Sequence, residues 1–129
     1  MANATALTLT ALAADSSTAN PTADAFDTGT AAVTVPLDVN GESDDVFLRV
    51  VNAAAAALTV TVNAGDSPPA VRAGIGAFTS GNIAQNGVLL LGPFESARFI
   101  QDDGTLSVTF TPASGTIACS CQAFRLPTV

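Results

Sequence analysis

The chain has no histidine, lysine, tryptophan or tyrosine among its 129 residues. Those side chains supply many of the general bases, metal ligands, Schiff-base amines and stacking surfaces that protein sites use. Without histidine, neither a Ser–His nor a Cys–His nucleophile pair can form. Without lysine, a glycine-rich phosphate loop of the usual kind is excluded as well. We therefore expect that the chain is not an enzyme, and that it holds no cofactor and no metal.

Positive charge is also scarce, because four arginines face eleven acidic residues and the net charge is −7. Proteins bind nucleic acids by neutralising phosphates with clustered lysine and arginine side chains. Arg49, Arg72, Arg98 and Arg125 lie in four different segments and form no such cluster. No apolar run approaches the ~18 residues that indicate a membrane span. We expect neither a nucleic-acid partner nor a membrane partner.

The two cysteines, Cys119 and Cys121, are two positions apart. In a strand both would point to one face, with Cα atoms about 6.5–7 Å apart, which is at the limit of disulfide geometry. Two thiols alone cannot complete a tetrahedral zinc site. The spacing therefore predicts two small buried apolar side chains, with a bond between subunits as the alternative.

The chain does contain valine, leucine, threonine and alanine in short runs, and 48% of its residues are hydrophobic. Residues 58–62 alternate with period two, which places Leu58, Val60 and Val62 on one inward face. Residues 46–51 and 88–91 have the composition of buried strands. Short strands separated by turn residues are typical of antiparallel sandwiches and barrels. We predict an all-β, antiparallel sandwich or barrel, jelly-roll-like, over residues 31–129, with residues 1–30 as an extended N-terminal arm.

The dipeptide Asp103-Gly104 is a strong signal for a two-residue hairpin turn. In that register Phe99 faces Val108 and Gln101 faces Leu106, so the apolar residues meet on one face. The sequence therefore predicts a hairpin between residues 97–101 and 106–110.

Residues 27–29, Asp-Thr-Gly, resemble the active-site turn of retroviral-type aspartic proteases. That family implies a β-rich homodimer in which two aspartates, one from each subunit, share a proton. The family leads into its aspartate with an apolar strand, whereas residues 20–25 here are small and polar. The alternative is an ordinary turn at Asp27.

Residues 38–45 carry alternating oxygen-bearing side chains at Asp38, Asn40, Glu42 and Asp44, as calcium loops often do. The glycine stands fourth rather than sixth, and the distal glutamate of an EF-hand is missing. A solvated hairpin loop is the alternative interpretation.

The stretches 47–52 (FLRVVN), 91–94 (LGPF), 98–110 (RFIQDDGTLSVTF) and 124–126 (FRL) carry a further likeness. In composition and order, residues 46–126 resemble the capsid decoration, or cement, proteins of tailed bacteriophages. The resemblance implies a structural virion protein on the exterior of the capsid. Its partners would be the major capsid protein and itself, as a homotrimer, and it would stabilise the shell against internal pressure.

If the family role holds, the N-terminal arm could add as a strand to the shell or to a neighbouring subunit. Leu7, Leu9, Leu12 and Phe26 are the predicted partner contacts, because they are the bulky apolar residues of the arm. The alternative is that the arm packs on its own domain.

Two other functions compete with the decoration role. A phage tail or fibre module, or another surface-binding β-domain, would have the same composition and would differ in copy number per particle. The distant alternative is a retroviral-type aspartic protease that uses Asp27-Thr28-Gly29.

Overall fold

The computed structural model of the chain describes residues 6–7, 9–13, 15–20, 23–26, 31–36, 46–65, 76–94, 99–101 and 104–126. These residues contain nine β-strands, and the all-β prediction is confirmed. The strands are β1 (Leu9–Ala11), β2 (Asp24–Phe26), β3 (Ala31–Pro36), β4 (Val46–Asn52), β5 (Leu58–Val62), β6 (Phe78–Thr79), β7 (Val88–Leu91), β8 (Thr105–Pro112) and β9 (Cys119–Arg125).

The strands form two sheets that pack face to face. In the first sheet, β9 pairs with β1 and β2 along one edge and with β4 along the other, and β4 pairs with β7. The second sheet has the order β3-β8-β5-β6. Every strand pair is antiparallel except β1 with β9. Strands β2 to β9 therefore follow the 2-9-4-7 and 3-8-5-6 strand orders of a jelly roll, as the sequence pattern predicted.

The core lies between the two sheets and is formed mainly by every second residue along the strands. Leu58, Val60 and Val62 of β5 are at most 1% exposed, as their period-two spacing predicted. In β4, buried and half-buried residues alternate, so the prediction of a buried strand at residues 46–51 is confirmed for one face and wrong for the other. The outward face of β4 is only partly covered by other described residues, so its side chains there stay half-buried. One inward face per strand is the rule for a two-layer sandwich.

The predicted hairpin at Asp103-Gly104 is wrong in its pairing. Val108, which was predicted to face Phe99, pairs with Val33 of β3 along one edge of β8 and with Val62 of β5 along the other, so it is not available to Phe99. The local turn remains, because the Gly104 N–H donates to the Gln101 carbonyl oxygen at 2.9 Å. Gly104 has a φ of 81°, in the region that favours glycine. The Gln101 N–H also donates to the Thr105 carbonyl oxygen at 2.8 Å, so this turn brings Gln101 opposite Thr105 and not opposite Leu106 as predicted.

The N-terminal segment crosses from one sheet to the other and closes one side of the sandwich. Ala6 bridges to Thr34 of β3, and the Leu7 N–H donates to the Thr34 carbonyl oxygen at 2.9 Å. Three residues later the chain pairs with β9, and the Leu12 N–H donates to the Arg125 carbonyl oxygen at 2.9 Å. This crossing joins the β3 end of one sheet to the β1 end of the other, and β6 and β7 are the strands at the opposite ends of the two sheets.

Candidate protein-binding edge

The four apolar residues predicted as partner contacts lie against the chain itself. Leu7 is 2% exposed and Phe26 is 1% exposed, and the Phe26 ring centroid is 4.8 Å from that of Phe110. Leu9 is partly buried and packs against the same core, and Leu12 is also partly exposed. These positions favour the alternative in which the segment packs on its own domain. A contact with a partner stays a prediction, and it would require the segment to leave the core.

Two of the sequence motifs lie outside the described residues. These are Asp27-Thr28-Gly29 and the oxygen-rich stretch 38–45. Within the described ranges, no group of three or more histidine, cysteine, aspartate or glutamate side chains is placed to hold a metal ion. No helix in that same part of the chain is long and apolar enough to cross a membrane.

The cysteines behave as buried apolar side chains, as predicted. Cys119 and Cys121 are both free thiols and both buried on the inward side of β9. Burial raises the pKa of the Cys119 thiol from its ordinary value of 9.0 to about 11. The thiolate is the nucleophilic form, so this thiol is inert at neutral pH.

The two outward faces of the sandwich differ in chemistry. On the second sheet, the outward residues of β5 and β8 are hydroxyl-bearing and bond to one another or to nearby amides. Asn63 Nδ2 donates to Ser107 Oγ at 3.0 Å and to Thr109 Oγ1 at 3.2 Å. The hydroxyls of Thr61 and Thr79 are 3.2 Å apart. This face satisfies its own polar groups and offers few apolar contacts to a partner.

The outward face of the first sheet combines apolar residues with one polar row. The rings of Phe47 and Phe124 stack with centroids 5.2 Å apart. Arg49 Nη1 donates to Gln122 Oε1 at 3.1 Å, and Gln122 Nε2 donates to Asn20 Oδ1 at 2.8 Å. Gln122 is 4% exposed although it points outward, because the segment between β1 and β2 reaches over it. The row therefore anchors that segment to the sheet.

The exposed apolar residues concentrate at the side formed by β6 and β7. Phe78 is 39% exposed, Val88 is 50% exposed and Leu90 is 63% exposed. Among the described residues, one other large apolar side chain is exposed, that of Leu126 at 40%. We call Val88 and Leu90 the uncharged edge, because β7 itself contains no charged side chain, although Arg49 of β4 lies directly opposite Leu90. The sequence prediction of a buried strand at 88–91 is wrong, since β7 has a sheet neighbour on one side only among the described residues.

The backbone of β7 presents its unbonded groups at the same residues. The Asn52 N–H donates to the Gly87 carbonyl oxygen at 3.1 Å, so this pair is a hydrogen-bonded one. Bonding alternates along an antiparallel ladder, and β7 pairs with β4 in register from Val51↔Val88 to Leu48↔Leu91. The N–H and C=O groups of Val88 and Leu90 therefore point away from β4.

A buried amide fixes where β7 begins, and the sequence reasoning missed it. Asn52 is 1% exposed, and its Nδ2 donates to the Ile83 carbonyl oxygen at 2.8 Å and to the Ala56 carbonyl oxygen at 3.0 Å. Its Oδ1 accepts the Ala54 N–H at 3.0 Å, and its own carbonyl accepts the Asn86 N–H at 2.6 Å. One side chain thus joins the β4–β5 loop to the segment before β7. A lone asparagine after an apolar strand was the available signal.

Burial of apolar side chains is the largest contribution to binding free energy that the edge can offer a partner. Full burial of a valine or leucine side chain contributes about 1.5–3 kcal/mol. With Val88 50% and Leu90 63% exposed, covering both contributes roughly 2–3 kcal/mol per chain. An exposed ion pair contributes about 0–1 kcal/mol. Natural sheet edges usually carry lysine or proline against unwanted pairing, and β7 has neither.

No protein-family model, curated protein or solved structure matches the chain. The functional argument therefore rests on the chain's own residues and geometry.

Proposed function

We propose that the chain is a structural virion protein that binds the outer surface of a tailed-phage capsid as an oligomer. In this role it contacts the major capsid protein and stabilises the shell against internal pressure. The observation that carries the proposal is the uncharged edge, where exposed apolar side chains and outward backbone groups coincide on one strand. Such an edge favours lasting contact with another protein chain.

The rest of the molecule supports a static binding role. The described residues 6–7 and 9–12 bridge the two sheets on one side of the sandwich, whereas β6 and β7 are edge strands on the other side within the described part of the chain. A net charge of −7 opposes binding to the packaged DNA and is compatible with the capsid exterior. A jelly roll hosts many functions, viral capsid domains among them, so the fold alone decides nothing. The sequence resemblance of residues 46–126 supplies the capsid as the specific partner.

Stabilisation of a shell by such a protein would arise from avidity. Each copy contributes a modest contact, and copies joined in an oligomer must all release together. The edge energy of roughly 2–3 kcal/mol per chain is too small for a stable complex alone, since association costs about 4–15 kcal/mol. Repetition on a symmetric lattice overcomes this deficit.

The test is addition of the purified chain to expanded shells that lack it, prepared from the phage whose genome encodes it. Co-sedimentation gives the copy number per shell, and heating gives the temperature at which shells break. We expect saturable binding at a lattice-determined copy number and a higher breaking temperature. Leu90→Lys should weaken addition, whereas Leu126→Lys, an identical change at a residue 40% exposed elsewhere, should not. No addition would refute the proposal, and a few copies per particle would favour a tail or fibre module.

A further inference from the structure

We propose that Asn86 is a site of spontaneous deamidation, and that its isoaspartyl product loosens the start of β7 from β4. The reaction needs only water, so it stands independently of the proposed binding to a capsid. Three features of the described residues carry it: the residue that follows Asn86, the turn that holds both residues, and the hydrogen bonds that this turn makes.

Among the described asparagines, Asn86 is the one that a glycine follows. A side chain on the following residue crowds the approach of its backbone nitrogen to the asparagine Cγ, whereas glycine allows that close approach. Asn86 is also exposed, so water reaches it. The other described asparagines all precede a residue with a Cβ, and they are Asn20, Asn52, Asn63 and Asn82.

The turn over residues 84–87 requires both members of this dipeptide. The Gly87 N–H donates to the Ala84 carbonyl oxygen at 2.9 Å, and Asn86 has a φ of 63°. A positive φ at the third position of a turn is the type II pattern, which glycine and asparagine tolerate best. A Cβ at position 87 would lie 2.9 Å from the Ala84 carbonyl oxygen and 3.1 Å from Cγ2 of Ile83. The fold therefore keeps a reactive dipeptide at the entry to β7.

The reaction proceeds through a five-membered ring. The Gly87 backbone nitrogen gives its proton to hydroxide and bonds to Cγ of Asn86. The Cγ–Nδ2 bond then breaks, Nδ2 takes a proton from water and leaves as ammonia, and a succinimide remains. Water opens the ring at Cγ to give aspartate, or at the main-chain carbonyl carbon to give isoaspartate, whose backbone runs through Cβ and Cγ. One water is taken up and one ammonia is released, with no change of oxidation state.

The hydrogen bonds of the turn slow this reaction. The Gly87 N–H that must lose its proton is the one bonded to Ala84, and the Asn86 N–H donates to the Asn52 carbonyl oxygen at 2.6 Å. The Asn52 N–H in turn donates to the Gly87 carbonyl oxygen at 3.1 Å. The ring closes only when the turn opens, and exposed turns open locally without global unfolding. We therefore expect conversion in the folded chain, at a lower rate than in the chain unfolded in urea.

The isoaspartyl product cannot keep these bonds. It places one extra backbone atom between residues 86 and 87, so their backbone groups no longer match the spacing of their partners on Asn52. Because Asn52 is 1% exposed, its carbonyl oxygen then lacks a partner away from water. The aspartyl product keeps the backbone and changes only the net charge, from −7 to −8, at an exposed position. Isoaspartate should therefore weaken the pairing of β4 with β7, whereas aspartate should not.

The experiment incubates the full chain in heavy-oxygen water at neutral and at mildly alkaline pH, below its melting temperature. Mass spectrometry of its peptides then locates each converted asparagine. We expect conversion at Asn86 to be at least ~10-fold faster than at Asn82, which is exposed but precedes the β-branched Ile83. The rate should rise with pH, because the deprotonated backbone nitrogen is the attacking form.

Stability separates the two products. The purified isoaspartyl chain should melt ~3–6 °C below the unmodified chain, the shift for one lost backbone hydrogen bond in a domain of this length. Asn86→Asp, which carries the charge on an unaltered backbone, should melt within ~2 °C of the wild type. Asn86→Gly keeps a residue suited to the positive φ and has no amide to lose, so incubation should leave its melting temperature unchanged.

Four results would overturn the inference: conversion at Asn82 as fast as at Asn86, conversion of Asn86 in urea but not in the folded chain, an isoaspartyl chain that melts with the wild type, or an equal loss of stability in incubated Asn86→Gly. Shell addition is a separate readout. A chain that deamidates at Asn86 but never adds to shells would refute the proposed function and leave this inference standing.

Discussion

Substitution of Leu7 by alanine tests whether the N-terminal segment is part of the folded domain. The side chain is 2% exposed between the sheets, and the residue is held by a 2.9 Å bond from its N–H to the Thr34 carbonyl oxygen. Truncation of a buried leucine to alanine costs about 2–5 kcal/mol, because a cavity replaces the lost side chain. Since Leu7 lies beside β3 at the edge of the second sheet, where the structure can relax, we expect about 2–3 kcal/mol. For a domain of this length that corresponds to a fall of roughly 6–12 °C in melting temperature.

The assay is thermal unfolding by circular dichroism at several protein concentrations in the micromolar range, so that any effect of association on the melting temperature is seen. Leu126→Ala is the matched control, because Leu126 is 40% exposed and its loss should cost less than about 1 kcal/mol. If Leu7→Ala unfolds at the wild-type temperature, the segment is not docked in solution. Leu7 would then be available to a partner, as the sequence-based prediction had it.

Three further predictions concern the backbone, a thiol and the edge. Gly92→Ala should lose about 1–3 kcal/mol in urea unfolding, because φ is 113° and a Cβ would lie 2.8 Å from a β4 carbonyl oxygen. Gly81→Ala, with nothing within 4 Å, should not, and equal losses would contradict this. Wild-type stability should fall from about pH 9 towards 11, because the unfolded chain ionises Cys119 below its folded pKa of about 11. The chain has no lysine or tyrosine and one other thiol, Cys121, so Cys119→Ala should reduce that fall, and an unchanged profile would refute the assignment. Leu89→Pro should cost about 1–3 kcal/mol more than Leu90→Pro, since only the Leu89 N–H bonds β4, and equal costs would refute the β7 orientation.

The part of the fold that the sequence predicted is the part that local chemistry determines. Residues 58–62 alternate strictly, so Leu58, Val60 and Val62 could be placed inward without knowing their neighbours. The cysteine spacing likewise placed Cys119 and Cys121 on one buried face. In both cases the two-residue period of side chains along a strand was enough to assign the residues to one face.

The wrong predictions depended on which strand lies beside which. The turn at Gly104 exists, but the predicted hairpin register is wrong, because Val108 pairs with Val33 of β3 and Val62 of β5, and Gln101 bonds to Thr105. A run of four apolar residues at 88–91 looked buried, yet its exposure follows from an edge position that only the complete sheet order reveals. Non-local pairing is not encoded in any short window of sequence.

The candidate site was missed for the same reason. The bulky residues of the N-terminal segment were predicted to contact a partner, but Leu7 and Phe26 fill the chain's own core. The uncharged stretch 73–94 was visible in the sequence, and the absence of any charged residue or proline at positions 88–91 was the signal that could have identified an unprotected edge. The sequence could not reveal that the outward backbone groups and the exposed side chains belong to the same two residues.

The most direct test of the central claim is an electron cryomicroscopy reconstruction of expanded phage shells saturated with the purified chain. The account predicts density on the exterior at every equivalent lattice position, with Val88 and Leu90 buried in a contact and the threonine-bearing face of the second sheet turned to solvent. Shells without added density, or added density in which β7 faces solvent on every copy, would contradict it.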